Sequence, residues 1–235
     1  MKKAEKWIRR GAVVACEIFA VVTIIWLLAQ GDYRRVPLAV GTLGMVFLPS
    51  IAQALMHCTF PLPMYLYCLL YSIGPMLGQC YKFYYRFRFW DKLLHISGGV
   101  LFAIFGFYLY YKLGGSRQPQ LLAALFALLF SMGVSVVWEF FEFGADRLFG
   151  WDMQNDTVIS EIHSYELGGE LGERGSLQDI QLVSIDGTPL PFEGYLDIGL
   201  IDTMMDMLLE TCGALVTVVG FSLNQKKRFA KIPLR

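Results

Sequence analysis

Six stretches of this chain, at 11–30, 37–57, 63–79, 93–112, 120–142 and 200–222, are almost wholly apolar. A helix needs about 20 such residues to cross the hydrocarbon core of a bilayer. That repeated length predicts an all-α, polytopic membrane bundle of about six transmembrane helices, forming a single domain over 1–235. Composition agrees. Charged residues are 17% of the chain and hydrophobic ones 55%, whereas soluble domains carry about 25% charged residues. The third stretch is the shortest and is interrupted by Gly74 and Pro75; Pro49 predicts a kink in the second. Neighbouring helices can re-satisfy backbone groups freed by such breaks.

Lysine and arginine set the expected orientation. With the N-terminus in the cytoplasm, the inside segments hold Lys2, Lys3, Lys6, Arg9 and Arg10, then Lys112 and Arg117, then Lys226, Lys227, Arg228, Lys231 and Arg235. Twelve of the twenty basic residues thus fall inside, which points to a multi-pass protein of the cell membrane with both termini cytoplasmic. Trp26, Trp90, Trp138 and Trp151 mark the outer boundary and Trp7 the inner one. The segment CYKFYYRFRFW (80–90) reads as an interfacial piece contacting lipid headgroups. Membrane lipids are the expected partners and nucleic acid is not. Five scattered cysteines without a CxxC pair indicate apolar fillers rather than a disulfide framework. On this topology Cys80 faces the outside and is open to an impermeant maleimide, whereas Cys58 is not.

Residues 151–199, between the fifth and sixth helices, form the one sizeable extracytoplasmic insert. Its Asp186–Gly187 pair between alternating apolar runs predicts a small β-hairpin.

The acids within the apolar runs carry the chemistry. Asp91 and His95 open the fourth helix, Glu139, Glu142 and Asp146 end the fifth, and Asp202 and Asp206 open the sixth, with Glu210 deeper. The alternating topology brings all three sets to the level of the outer leaflet. At 100° per residue, Asp91 and His95 lie about 40° apart, and Glu139, Glu142 and Asp146 share a sector about 60° wide. Gly98, Gly99 and Gly213 on these faces allow helices to pack closely. Asp91 and Asp202 have a plainer reading as helix N-caps. Glu139 and Glu142 do not: they sit where the helix dipole disfavours anions, and three residues apart they repel each other. Several ionised carboxylates in a partly dry site need protons or a cation. A divalent ion held by Asp91, His95, Glu139, Asp202 and Asp206 meets that need. The oxygen-rich set suits Mg²⁺, Mn²⁺ or Ca²⁺, and His95 admits Zn²⁺ or iron.

The segments FYYRFRFWDKLLHISGGVLFAIFGFYL, VSVVWEFFEFGADRLFGWDMQ and GLIDTMMDMLLETCGALV resemble the YjdF-like inner-membrane proteins and, more distantly, VanZ-like proteins. The shared pattern falls on Asp91, Lys92, His95, Glu139, Glu142, Asp202, Asp206 and Gly213. Glu142 stands where VanZ-like members more often carry glutamine, and Glu210 where they carry asparagine, so this site is more acidic. The resemblance implies a membrane bundle with a polar site, but no reaction.

Three functions compete. The first is a metal-dependent hydrolase or transferase acting on a lipid or cell-envelope precursor, with Glu142 as general base and His95 among the catalytic groups. The second is a proton- or cation-coupled carrier. The third is a structural membrane scaffold locked by its polar cluster. The chain holds no serine-hydrolase motif, P-loop or HExxH.

Overall fold

Proline at the first turn of a helix loses no hydrogen bond, because that N–H has no intrahelical acceptor. The second apolar stretch uses this twice. It is not one kinked helix but two, α2 (Val36–Met45) and α3 (Leu48–Leu55), with Pro37 and Pro49 each in a first turn. In this computed structural model, residues 3–87, 89–114 and 120–224 are described. Arg88, Lys2, Arg117 and the basic residues of the C-terminal tail lie outside them.

The other helices are α1 (Lys3–Gln30), α4 (Leu62–Cys80), the single turn α5 (Phe83–Arg86), α6 (Trp90–Lys112), α7 (Gln120–Phe149) and α8 (Leu200–Asn224). Among the described residues, five spans are long and apolar enough to cross a membrane: α1, α2 with α3, α6, α7 and α8. The bundle is therefore all-α and multi-pass. The third expected span is the exception. It forms α4, 19 residues long, but falls short of the others in hydropathy. The reason is visible in its surroundings. Tyr65, Ser72, Gly74, Pro75 and Gly78 are all buried, so much of α4 faces protein. Gly74 and Pro75 do not interrupt it: α4 runs continuously through both, and the Gly74 carbonyl accepts the Trp90 indole N–H at 3.2 Å.

The chain divides into two units, residues 1–137 with 207–235, and residues 138–206. Both divisions fall inside continuous helices, α7 and α8. In the first unit, Ala20 and Leu27 of α1, Ala39 of α2 and Met76 and Cys80 of α4 form one apolar cluster. Val46, Phe60, Tyr65 and Leu69 form a second. A third joins Phe107 and Tyr110 of α6, Ala123, Ala124 and Ala127 of α7, and Phe221 of α8. Tyr81 stacks on Phe19 and Trp26 of α1, and beyond it Tyr85, Phe87 and Phe89 expose their rings.

In the second unit, the single expected hairpin is one of three antiparallel pairs. β1 (Val158–Ile159) pairs with β6 (Tyr195–Leu196), β2 (Ile162–Ser164) with β3 (Gly175–Leu177), and β4 (Ser184–Ile185) with β5 (Thr188–Pro189). The β4–β5 turn is Asp186–Gly187, both at positive φ (51° and 79°), the geometry of a type I′ hairpin. The other two pairs carry no comparable signal. Their strands are two or three residues long, too short for a period of two to register.

Candidate functional site

Gly99 and Gly213 set the contact between α6 and α8. A Cβ on Gly99 would overlap the Glu210 carbonyl, and one on Gly213 would overlap the Ile96 carbonyl. Only glycine at both positions lets the backbones touch. From α7, the Ser131 hydroxyl donates to the Gly99 carbonyl at 3.2 Å. Eight residues further along both helices, Phe107 stacks on Phe221 with ring centroids 3.9 Å apart. Two contacts displaced equally in the same sense mean that α6 and α8 run parallel. The stripe Asp91–His95–Gly99 on α6 therefore rises beside the stripe carrying Glu210 and Gly213 on α8.

On α6, Asp91 lies in the first turn behind an N-cap, Phe89, that makes no side-chain capping bond. Asp91 Oδ1 stands 3.6 Å from His95 Nε2, an ion-pair distance if the imidazole is protonated. The His95 ring is buried, as is Glu210. α8 is continuous through Asp206, one turn before Glu210, and Asp206 is only 1% exposed. Asp91, His95 and Asp206 each offer one ligand atom, and these atoms lie within 4.8 Å of one another. Ligand atoms that surround one cation at 2.0–2.6 Å are separated by no more than about 5 Å. Asp91, His95 and Asp206, two carboxylates and one imidazole, are thus residues that could hold a metal ion.

The remaining acids belong to the second unit. Glu139 and Glu142 are buried, and both Glu139 carboxylate oxygens are sealed from solvent. Snorkelling to water is therefore not how α7 accommodates them. Trp138 Nε1 donates to Glu142 Oε1 at 2.9 Å, one turn along the helix. Asp146 and Asp202 fasten the segment that follows α7. Asp146 accepts the N–H groups of Met153 and Gln154 at 2.7 and 3.0 Å, and Asp202 accepts from the Asn155 N–H and Nδ2 at 2.9 and 3.1 Å.

Neither Asp91 nor Asp202 serves as an N-cap. At α8 that work falls to Asp197, which accepts from Ile201 N at 2.6 Å and Thr157 N at 2.8 Å. Asp197 went unremarked in the sequence because an Ile-Gly-Leu-Ile run separates it from the first acid of the helix. Asp152 is exposed in the same segment, with its carboxyl partly desolvated. Burial first, then the charges of Asp156, Asp146 and Asp202, push its carboxyl above its ordinary value of 3.8.

Known proteins give a consistent but limited picture. An uncharacterised protein of Thermotoga maritima is 32% identical over 73 residues, which are 31% of this chain and 38% of that protein. The match thus spans well under half of the relative. No solved structure matches. A family model described as predicted membrane protein (DUF2238) matches residues 12–227, nearly the whole length, and five helices suited to crossing a bilayer accompany that match: the chain is a member of the DUF2238 family of membrane proteins.

Proposed function

We propose that this membrane protein is a metal-dependent hydrolase or transferase acting on a lipid or cell-envelope precursor. Asp91, His95 and Asp206 bind the divalent cation, Glu139 and Asp202 add oxygen ligands, and Glu142 is the general base. The observation that carries the reading is the convergence of the Asp91, His95 and Asp206 ligand atoms within 4.8 Å, with His95 and Asp206 buried and Asp91 partly exposed. Buried carboxylates that repel one another are stabilised by a shared cation, and a divalent ion offsets two of their charges. Such an ion acidifies a bound water and polarises a phosphoryl or acyl oxygen. The Trp138 indole fixes one Glu142 oxygen, which leaves the carboxylate oriented to take a proton.

The same proposal extends to topology. At 1.5 Å rise per residue the 19 residues of α4 reach about 28 Å, nearly the hydrocarbon thickness. With α4 as a sixth crossing both termini lie on one side of the membrane; the lysine and arginine bias supports the cytoplasm for that side, with the acids and the β-paired insert at the outer leaflet. Kinship with the YjdF-like proteins fits a membrane family of this length; the VanZ-like likeness rests on the three quoted motifs alone.

The test is turnover. Purified protein, stripped with chelator and then supplied separately with Mg²⁺, Mn²⁺, Ca²⁺ or Zn²⁺, is incubated with an envelope lipid extract, and products are read by mass spectrometry. The reading expects loss or exchange of a headgroup or acyl group that needs the metal and is abolished by Glu142→Gln. An extract unchanged with every ion contradicts it.

A further inference from the structure

The turn joining α3 to α4, residues 56–61, carries two basic side chains that the proposed reaction does not use. Arg9 of α1 is buried, 7% exposed, although it belongs to a run that reads as a solvated basic end. Its Nη2 donates to the Phe60 carbonyl at 2.5 Å, its Nη1 to Gln53 Oε1 at 3.3 Å, and its guanidinium lies 4.6 Å from the centre of the Tyr65 ring. Its Nε is sealed from solvent with no acceptor. Lys112, at the end of α6, donates through Nζ to the Met56 carbonyl, which also receives the Tyr108 hydroxyl at 3.3 Å. Among the described residues no carboxylate lies within ion-pair distance of either cation. Carbonyl dipoles position these charges but do not neutralise them: Arg9 is buried, where an unpaired charge is costly, and Lys112 is partly exposed, open to an anionic partner.

Beside this turn is a cavity of about 150 Å³ lined by Phe60, Ile104, Phe107, Tyr111 and Phe221, with Lys112 at its wall. Apolar cavities of that size stay dry and admit a benzene-sized hydrocarbon guest. An opening lined by hydrocarbon and bordered by uncompensated positive charge matches one kind of molecule available at a membrane boundary. That molecule has an anionic headgroup joined directly to an acyl chain.

We infer that Lys112, Arg9 and this cavity form a binding site for an anionic phospholipid. The first methylenes of one acyl chain enter between Phe60, Ile104 and Phe221, and the phosphate rests against Lys112. Arg9 adds positive potential through the turn that it holds. The cavity selects a chain and the two charges select the headgroup, so a lipid with a neutral zwitterionic headgroup gains only the first. Basic pockets between membrane helices on the cytoplasmic side bind acidic lipids by this logic.

The experiment compares phosphatidylglycerol with phosphatidylcholine of identical chains, added to the delipidated full chain in mild detergent. Retention is read by native mass spectrometry and thermal midpoint by tryptophan fluorescence. Phosphatidylglycerol is expected to be retained more strongly and to raise the midpoint further than phosphatidylcholine, which gains the cavity contact alone. Lys112→Gln should weaken phosphatidylglycerol binding about fivefold, as expected for one basic residue at a membrane surface, and Lys112→Arg should restore it. Ile104→Trp, which fills the cavity from another helix position, should abolish binding with Lys112 intact. Glycerol 1-phosphate, a headgroup without chains, should give no shift. Equal retention of the two lipids overturns the inference, as does wild-type affinity in both Lys112→Gln and Ile104→Trp. A shift from glycerol 1-phosphate matching that of the whole lipid overturns it as well.

Discussion

Glu139 and Glu142 are the residues whose placement matters most: α7 continues to Phe149, so both buried acids lie about two to three turns inside the helix and not, as the sequence suggested, in the last turn where the dipole acts. Their neighbours show different kinds of support. Glu142 receives an indole N–H from Trp138, so Trp138→Phe removes a donor while keeping the ring's bulk. Partners of this kind typically change metal affinity or activity by about 10- to 100-fold. The variant should therefore show a loss in that range in metal-dependent turnover, with its thermal midpoint little altered; unchanged turnover would detach Trp138 from the site.

Asp152 gives a prediction with a definite sign. Its carboxyl is raised in the folded protein by burial and by Asp156, Asp146 and Asp202. The folded state then holds its proton more tightly than the unfolded state, so this residue's contribution to stability declines as pH rises from its ordinary value through its raised one. Asp152→Asn should accordingly stabilise the protein at neutral pH and lose that advantage below about pH 4. Thermal melts across that range would show the two curves converging in acid, and a constant offset would mean that titration is not involved.

At the scale of elements, the α6–α8 contact carries the site. Gly99→Ala places a methyl group against the Glu210 carbonyl, which belongs to backbone and cannot rotate away. Overpacking of this kind costs about 1–3 kcal/mol, and separating the helices would also spread Asp91 and His95 from Asp206. The expected result is a lowered thermal midpoint together with weakened metal binding. Gly11 of α1 is the contrasting case: a Cβ there meets nothing within 4 Å. Gly11→Ala should leave the midpoint unchanged or raise it slightly, through improved helix propensity.

Much of this scale was legible in the amino-acid sequence. Apolar length gave the five spanning helices, shared helical sectors gave the polar faces, and Gly99 and Gly213 announced a close crossing. The break before Pro49 was legible only as a kink, because whether a helix bends or restarts depends on what surrounds it. α4 was the weakest span to read, since burial against protein relieves a helix of the need for lipid-soluble side chains. Asp197 and the Arg9–Gln53–Phe60 contact were not legible. Both join groups that the fold brings together from separate parts of the chain, and no spacing along one helix encodes them.

For the whole molecule, membership in a membrane family and five helices suited to crossing a bilayer agree. The orientation expected from lysine and arginine is open to direct labelling. The native thiols do not serve as expected: Cys80 is 1% exposed, packed with Ala20, Leu27 and Met76, so an impermeant maleimide will not reach it from either side. Leu171, in the turn between β2 and β3, is fully exposed. Leu171→Cys should label in intact cells if the insert lies outside, and only after lysis if the topology is inverted.

The central claim is that two carboxylates and one imidazole, those of Asp91, Asp206 and His95, hold a divalent cation. Elemental analysis of the purified protein after equilibration with Mg²⁺, Mn²⁺, Ca²⁺ and Zn²⁺ in turn tests it directly, with His95→Ala and Asp206→Asn measured beside the wild type. The account predicts close to one bound ion per chain for at least one metal, and a sharp loss of it in both variants. No stoichiometric metal in the wild type, or equal metal in all three proteins, would contradict it.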